Sequence, residues 1–221
     1  MEYRYADVLA PLRRAYDAGA EERDTHAKEP WKLAERAAFE ARLRAEGRRS
    51  LLELGAGTGQ DSLYFVQQGY TVVAIDLSPE MVRRCRAKGV DARVADFLNP
   101  GAADESVDAV YALNSLLHVP DADLPAVLAK VRAVLRPGGL FFLGVWGGRQ
   151  HAGPLPTDAH EPPRFFAWRT DDELLAHVRP LFDVVDFHVV APGGRTFQSL
   201  TLRRPPWSAD GLSSDADPSL S

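Results

Sequence analysis

The chain has one cysteine in 221 residues, Cys85, so it can form no internal disulfide and cannot build a thiolate metal site from its own cysteines. That scarcity agrees with a reducing compartment, and the expected location is cytoplasmic. No apolar run approaches the roughly 18 to 20 residues needed to cross a bilayer. The start of the chain, Met1, Glu2, Tyr3 and Arg4, lacks the basic and apolar segments of a secretion signal. A soluble body with no membrane partner is expected. Lysine is scarce, at Lys28, Lys32, Lys88 and Lys130 only. The formal net charge is −5, and the basic residues are scattered instead of forming a stripe that tracks phosphates, which argues against nucleic acid as a partner.

What is present is an ordinary globular composition, 45% hydrophobic and 26% charged, in a length that suits one α/β domain. Val8, Leu9, Leu12 and Tyr16 recur at the three-and-four spacing of a helical face. After a polar interruption over 21–30, Trp31, Ala34, Ala38 and Ala41 mark a second helix ending near Gly47. Together these make a helical cap over 1–47. Beyond it, short apolar strands at 51–54, 71–75, 90–94, 107–113 and 140–146 alternate with helical stretches, the pattern of parallel strands joined by crossover helices. Residues 147–163, rich in Gly, Pro and His, read as an irregular active-site loop. Thr170 and Glu173 have capping-box spacing for a helix through 178. Two alternating segments, 182–190 and 196–202, are joined by Ala191, Pro192, Gly193 and Gly194 and predict a closing hairpin. The expected fold is α/β and doubly wound: a mostly parallel seven-stranded sheet, a C-terminal antiparallel hairpin and an N-terminal helical cap. A single domain over 1–204, with its core over 48–204, and a disordered tail over 205–221 complete the expectation.

The chemistry concentrates after the first strand, where Leu51, Leu52, Glu53 and Leu54 run into Gly55, Ala56, Gly57, Thr58 and Gly59. A backbone without side chains lets a ligand approach closely, and the following helix presents unpaired amides at its start. The second strand ends in Asp76, at the spacing that sets an acid beside a ribose. Asp76 is therefore a candidate acceptor for ribose hydroxyls. A dinucleotide fingerprint places its third glycine where Gln60 stands, and here that glycine comes early, at Gly59, so the fit to a dinucleotide is imperfect.

Glu53, Gly55, Gly57 and Gly59 in this register resemble motif I of the class I S-adenosylmethionine-dependent methyltransferases, and the resemblance runs over 49–202. It implies S-adenosylmethionine as cofactor and S-adenosylhomocysteine as product. It further implies that Gly55, Ala56, Gly57 and Gly59 carry the methionine portion, with Glu53 near the ammonium and Asp76 on the ribose. Leu77 and Met81 correspond to adenine contacts, and Asp96 and Phe97 to the pair that meets the adenine amine and ring face. Asn114 and Ser115 stand where such enzymes contact the methionine end and the acceptor, and placement in similar enzymes sets Tyr16 over the cofactor's carboxylate. Two other readings stay open here: an NAD(P)-dependent oxidoreductase, and a cofactor-binding regulator without catalysis.

The sulfonium methyl of this cofactor is already activated, so the enzyme's main tasks are to align an acceptor and exclude water. Where the acceptor must lose a proton, a neighbouring histidine serves, and His118, just past Asn114 and Ser115, is the candidate catalytic base. His118, Trp146, His151 and His160 are the candidate substrate-binding residues, with Phe165, Phe166 and Trp168 available for an apolar wall. No metal is expected, because His151, His160 and Glu161 lack the helix-based zinc spacing. The signature of methyltransferases that modify nucleobase or glutamine amines is missing where Ala112, Leu113, Asn114 and Ser115 stand. The expected acceptor is a small molecule, its accepting atom O, N, S or C left open.

Overall fold

A computed structural model describes residues 3–206, so the expected tail lies, from 207 onward, outside the described residues. The sheet is built around β1 (Ser50–Leu54), which pairs in parallel with β2 (Thr71–Asp76) on one side and β4 (Val107–Leu113) on the other. Next to β2 runs β3 (Asp91–Val94), and next to β4 runs β5 (Leu135–Trp146), both parallel to their neighbours. The chain then turns back: β9 (Phe197–Arg203) lies antiparallel to β5, and β8 (Asp183–Val190) antiparallel to β9. The order is β3-β2-β1-β4-β5-β9-β8, the expected mostly parallel sheet with its closing hairpin.

Leu51, Leu52 and Leu54 are all buried because both faces of the sheet are covered, and a strand covered on both faces reads as a continuous apolar run. Successive side chains serve different cores. Leu52 and Leu54 join Val110, Phe141 and Leu143 beneath α1 (Tyr5–Ala18), α6 (Leu124–Val134) and α7 (Asp171–Val178). Leu51 joins Tyr111 and Phe142 on the opposite face, against Phe39 and Leu43 of α3 (Pro30–Ala45) and Phe65 of α4 (Gln60–Gln67). The two long helices of the N-terminal cap thus enter different cores. Helix α5 (Pro79–Ala87) begins as its sequence predicts, with Pro79 in its first turn and the Ser78 hydroxyl accepting from the Met81 amide at 3.1 Å. The Thr170–Glu173 capping box also forms.

Three elements depart from expectation, the first being β5, which starts at Leu135 and not at 140, with a register shift against β4 before Leu140. The polar stretch after α1 contains a short helix, α2 (Ala20–Thr25), too brief to show a periodic apolar face. Tertiary ion pairs support it: Asp24 accepts from Lys88 at 2.5 Å, and Lys88 also donates to the Thr58 carbonyl at 2.8 Å. The expected irregular loop contains β6 (His151–Pro154), paired antiparallel with β7 (Phe165–Trp168). His-Ala-Gly-Pro carries no alternation, and its partner strand lies on the far side of the loop, so nothing local announces the pairing.

Leu52 is fully buried in the central strand. Leu52→Ala is expected to lower unfolding stability by about 2–5 kcal/mol through lost burial and a residual cavity, measured by urea denaturation with an unchanged slope. A loss within about 0.5 kcal/mol, the range of ordinary surface substitutions, would contradict this packing.

Candidate functional site

The strand order changes direction at β1, between β2 and β4, and the site lies beyond the C-terminal ends of these strands. The turn after β1 is lashed to β2, since the Gly55 and Ala56 amides both donate to the Ile75 carbonyl, at 2.9 and 3.0 Å. Gly55 and Gly59 have φ of +73° and +84°, a region that favours glycine. A Cβ on either would collide, with Ser115 Cβ at 2.4 Å and Cys85 Sγ at 2.8 Å respectively. A Cβ on Gly57 would meet only Arg23 Nε, at 3.7 Å, so this part of the turn faces open space.

Two buried carboxylates border the turn. Asp76 accepts from the Gly57 amide at 2.8 Å and the Ser78 amide at 2.9 Å, and burial pushes its pKa up to about 6. Glu53, 3% exposed, accepts from the Ser62 hydroxyl. Burial, reinforced by the neighbouring Asp61 charge, pushes Glu53 up to about 8. Asp61 itself is held by Lys28 and by Arg36 at 2.9 Å, which ties the segment after α2 and the start of α3 to α4.

Three adjoining cavities open here. The first, about 570 Å³, is lined by Glu53, Gly55, Ala56, Gly57 and His160 among others. The second, a narrow 60 Å³, runs past Asp76, Leu77, Asp96, Phe97 and Ser115. The third, about 520 Å³, is walled by Trp146, Leu155, Phe166, Trp168 and Arg195. Tyr16, Arg23 and Asn114 line all three, which makes them lobes of one cleft. His118 lines the second and third. The remaining sequence candidates lie apart from these linings. Gly59 packs against Cys85, Met81 is buried at 1% exposure, and His151 sits on β6 with its ring 5.6 Å from that of Trp168.

His118 is buried with both ring nitrogens engaged. Nδ1 lies 2.6 Å from the Phe165 carbonyl, which can only accept, so Nδ1 carries the proton and Nε2 accepts the Tyr16 hydroxyl at 2.5 Å. Burial pulls the imidazole down to about 3, leaving it neutral. The lone pair expected to take an acceptor's proton is already occupied by Tyr16. Arg164 donates to the Tyr16 oxygen at 3.3 Å and is anchored by Asp158 at 2.7 Å, and Asp158 also lies 3.0 Å from His160 Nδ1. Sequence reasoning missed Arg23, Asp158, Arg164 and Arg195. Arg23 sits on the undetected α2, and the Asp158–Arg164 pair carries no motif.

A family model described as a methyltransferase domain matches residues 51–139. The ubiquinone biosynthesis O-methyltransferase of Xanthomonas oryzae pv. oryzae is 32% identical over 194 residues, covering 76% of this chain and 79% of that protein. Its counterpart in Xanthomonas axonopodis pv. citri is 35% identical over 188 residues, covering 73% and 76%. The chain belongs to the class I S-adenosylmethionine-dependent methyltransferases. The fold agrees: the Burkholderia thailandensis 1,6-didemethyltoxoflavin-N1-methyltransferase, crystallised with 1,6-didemethyltoxoflavin and S-adenosylhomocysteine, superposes with a TM-score of 0.75 at 25% identity, over 93% of this chain and 92% of that one. The oxidoreductase and non-catalytic readings are thereby set aside.

The cleft of this methyltransferase suits its cofactor chemically. Asn114 Oδ1 and Ser115 Oγ are buried without a hydrogen-bond partner, Gly57 leaves room for a ligand against bare backbone, and Glu53 holds a carboxylate short of cationic partners. Glu53 and Asn114 line the same lobe, and an amino-acid ammonium is a donor that would suit both. Burial and the Asp61 charge raise Glu53 well above the usual carboxylate range and so favour its protonated form in the free protein, whereas an ammonium beside it favours the charged form. S-adenosylhomocysteine binding is therefore expected to release protons, seen as a calorimetric enthalpy that changes with the buffer's ionisation enthalpy and loses that dependence in Glu53→Gln. Equal heats in phosphate and Tris for the unaltered protein would remove Glu53 from the ammonium site.

Proposed function

We propose that this methyltransferase transfers a methyl group to a small organic molecule seated in the third lobe, beside a cofactor held in the first two. The carrying observation is the third lobe itself. Its 520 Å³ falls within the roughly 300–1,000 Å³ of small-molecule pockets, and it shares Tyr16, Arg23 and Asn114 with the glycine-turn lobe. On this reading the methionine portion lies on Gly55, Ala56 and Gly57 with Glu53 and Asn114 at its ammonium. Asp76 takes the ribose, and Leu77, Asp96 and Phe97 line the adenine end. The relatives' names support a small acceptor, one naming an O-methyltransferase and one an N1-methyltransferase, and so leave the accepting atom open. The same reading keeps the protein in the cytoplasm, in accord with its free Cys85. Among the described residues no helix is long and apolar enough to cross a membrane.

The bound cofactor supplies a methyl group on a positively charged sulfur. The protein's own residues do the rest. Because His118 Nε2 accepts the Tyr16 hydroxyl and Arg164 donates to its oxygen, the phenol is held in one orientation at the lobe junction, where it can position an acceptor. His118 is thus a positioning residue that acts through Tyr16. The cap is fastened over the cleft where Asp17 accepts from Ser78 Oγ at 2.5 Å and from the Glu80 amide at 3.2 Å, joined by the Asp24–Lys88 and Lys28–Asp61 pairs. Such closure excludes water and strengthens polar contacts inside.

Incubation with S-adenosylmethionine and a panel of small hydroxy, amino and thiol compounds is expected to yield S-adenosylhomocysteine and a methylated product, detected by mass spectrometry. No turnover across the panel, with the cofactor bound, would count against the reading. With the acceptor so found, Tyr16→Phe is expected to lower kcat by about 100-fold through lost positioning while S-adenosylhomocysteine affinity changes by less than threefold, a split that a merely structural role does not produce.

A further inference from the structure

We infer that the third lobe is built for a planar, negatively charged acceptor, an aromatic or heteroaromatic ring bound as its anion. This deepens the small-acceptor proposal and rests on it. The charged side chains and the imidazole lining the lobe are Arg23, Lys32, Arg164, Arg195, Asp158 and His118; Arg23, Lys32 and Arg164 line the first lobe as well, and Arg195 lines the third without lining the other two. Asp158, the one carboxylate among them, is engaged with Arg164 and His160, and its side chain is 2% exposed. Lys32 shares its charge with Glu29, whose side chain is half exposed. Arg23 and Arg195 appear in no ion pair within 4.0 Å among the described residues. In a chain of net charge −5, such a gathering of cations is not a by-product of composition. A neutral guest leaves these cations partly desolvated and unanswered, whereas an anion pairs with them.

The walls add the shape. The Arg195 guanidinium lies 4.0 Å from the Trp146 ring centroid and that of Arg164 lies 5.1 Å from Phe166, so flat aromatic faces and flat cations stand next to each other around the lobe. A planar ring stacks on either kind of face. The Trp168 indole N–H has no acceptor among the described residues. The lobe also lacks a free base, since the His118 lone pair holds the Tyr16 proton and Asp158 is spent. An acceptor that arrives ionised needs none: its lone pair is available to the transferred methyl, and its proton has already gone to solvent.

The test uses the full chain saturated with S-adenosylhomocysteine and follows tryptophan fluorescence during titration with matched rings, para-nitrophenol against para-nitroanisole and para-hydroxybenzoate against its methyl ester. At least one anion is expected to bind tenfold or more tighter than its neutral partner, with a preference that shrinks in high salt. Bound para-nitrophenol should ionise at lower pH than the free compound, read from the visible absorbance of its anion. Arg195→Gln, on an exposed turn, should cut the preference several-fold and Arg195→Lys should restore part of it. Equal or tighter binding of the neutral rings overturns the anionic acceptor and leaves the small-acceptor reading standing. Failure of every ring to bind, with S-adenosylhomocysteine in place, overturns the anionic-ring inference alone, since the small-acceptor reading stands or falls by turnover across the acceptor panel.

Discussion

The hydrogen bond between Tyr16 and His118 joins three parts of the chain that are remote in sequence. Tyr16 comes from α1, His118 from the turn after β4, and the carbonyl that fixes the His118 tautomer from Phe165 at the start of β7. Arg164 meets the same phenol oxygen from the neighbouring loop. A single neutral hydrogen bond adds only about 0.5–1.5 kcal/mol to stability, so its importance lies in geometry. It sets which way the phenol points and ties α1 to the start of β7, whose Phe166 and Trp168 line the third lobe. Neutrality of His118 is part of this. An imidazolium would have no lone pair for Tyr16, and burial among Arg164 and Arg23 holds the ring in the form that does.

Around that hinge point the cleft mixes charges of both signs. Glu53, Asp76 and Asp96 stand along the first two lobes, with Glu53 and Asp76 raised by burial, while Arg23 lines all three lobes, Arg164 the first and third, and Arg195 the third. On the proposed reading an ammonium is drawn to Glu53 and an anion to Arg195, so the charges bias how each ligand enters. Buried acids that lack full pairing are unfavourable in the empty protein, and the ligand that satisfies them binds more strongly for that reason.

Much of this was legible in the sequence, for identifiable reasons. Leu51 to Leu54 followed by three glycines announces a buried strand ending in a ligand turn, since the turn needs left-handed backbone at Gly55 and tolerates no Cβ against Ser115. Ser78, Pro79, Thr170 and Glu173 mark helix starts because capping is local. The same logic explains the misses. Helix α2 is held by Asp24 and Lys88, residues 64 apart, and β6 by a partner across a loop, so neither has a local signature. His118 was found, but its role depended on which atoms faced its two nitrogens, and a sequence does not give that. Arg23 and Arg164 were hidden among many arginines, distinguished only by where the fold carries them.

Asn114 shows how far the site is set before any ligand binds. It follows β4 with φ of +55°, in the left-handed region that asparagine tolerates better than most residues. Its amide donates to the Gly144 carbonyl at 2.7 Å, and Gly144 is a position where a Cβ would strike Phe197 at 2.6 Å. The turn is therefore fixed from both sides, by the strand ladder and by a packed aromatic core. Its side chain reaches the junction of the three lobes with its oxygen unpaired. A strained residue with an unanswered polar atom is tolerated only where the surroundings over-determine it, and such residues cluster at functional sites. Holding that oxygen rigid in advance means that little ordering remains when a ligand arrives, and geometry set beforehand in this way is what brings reactants into line for transfer.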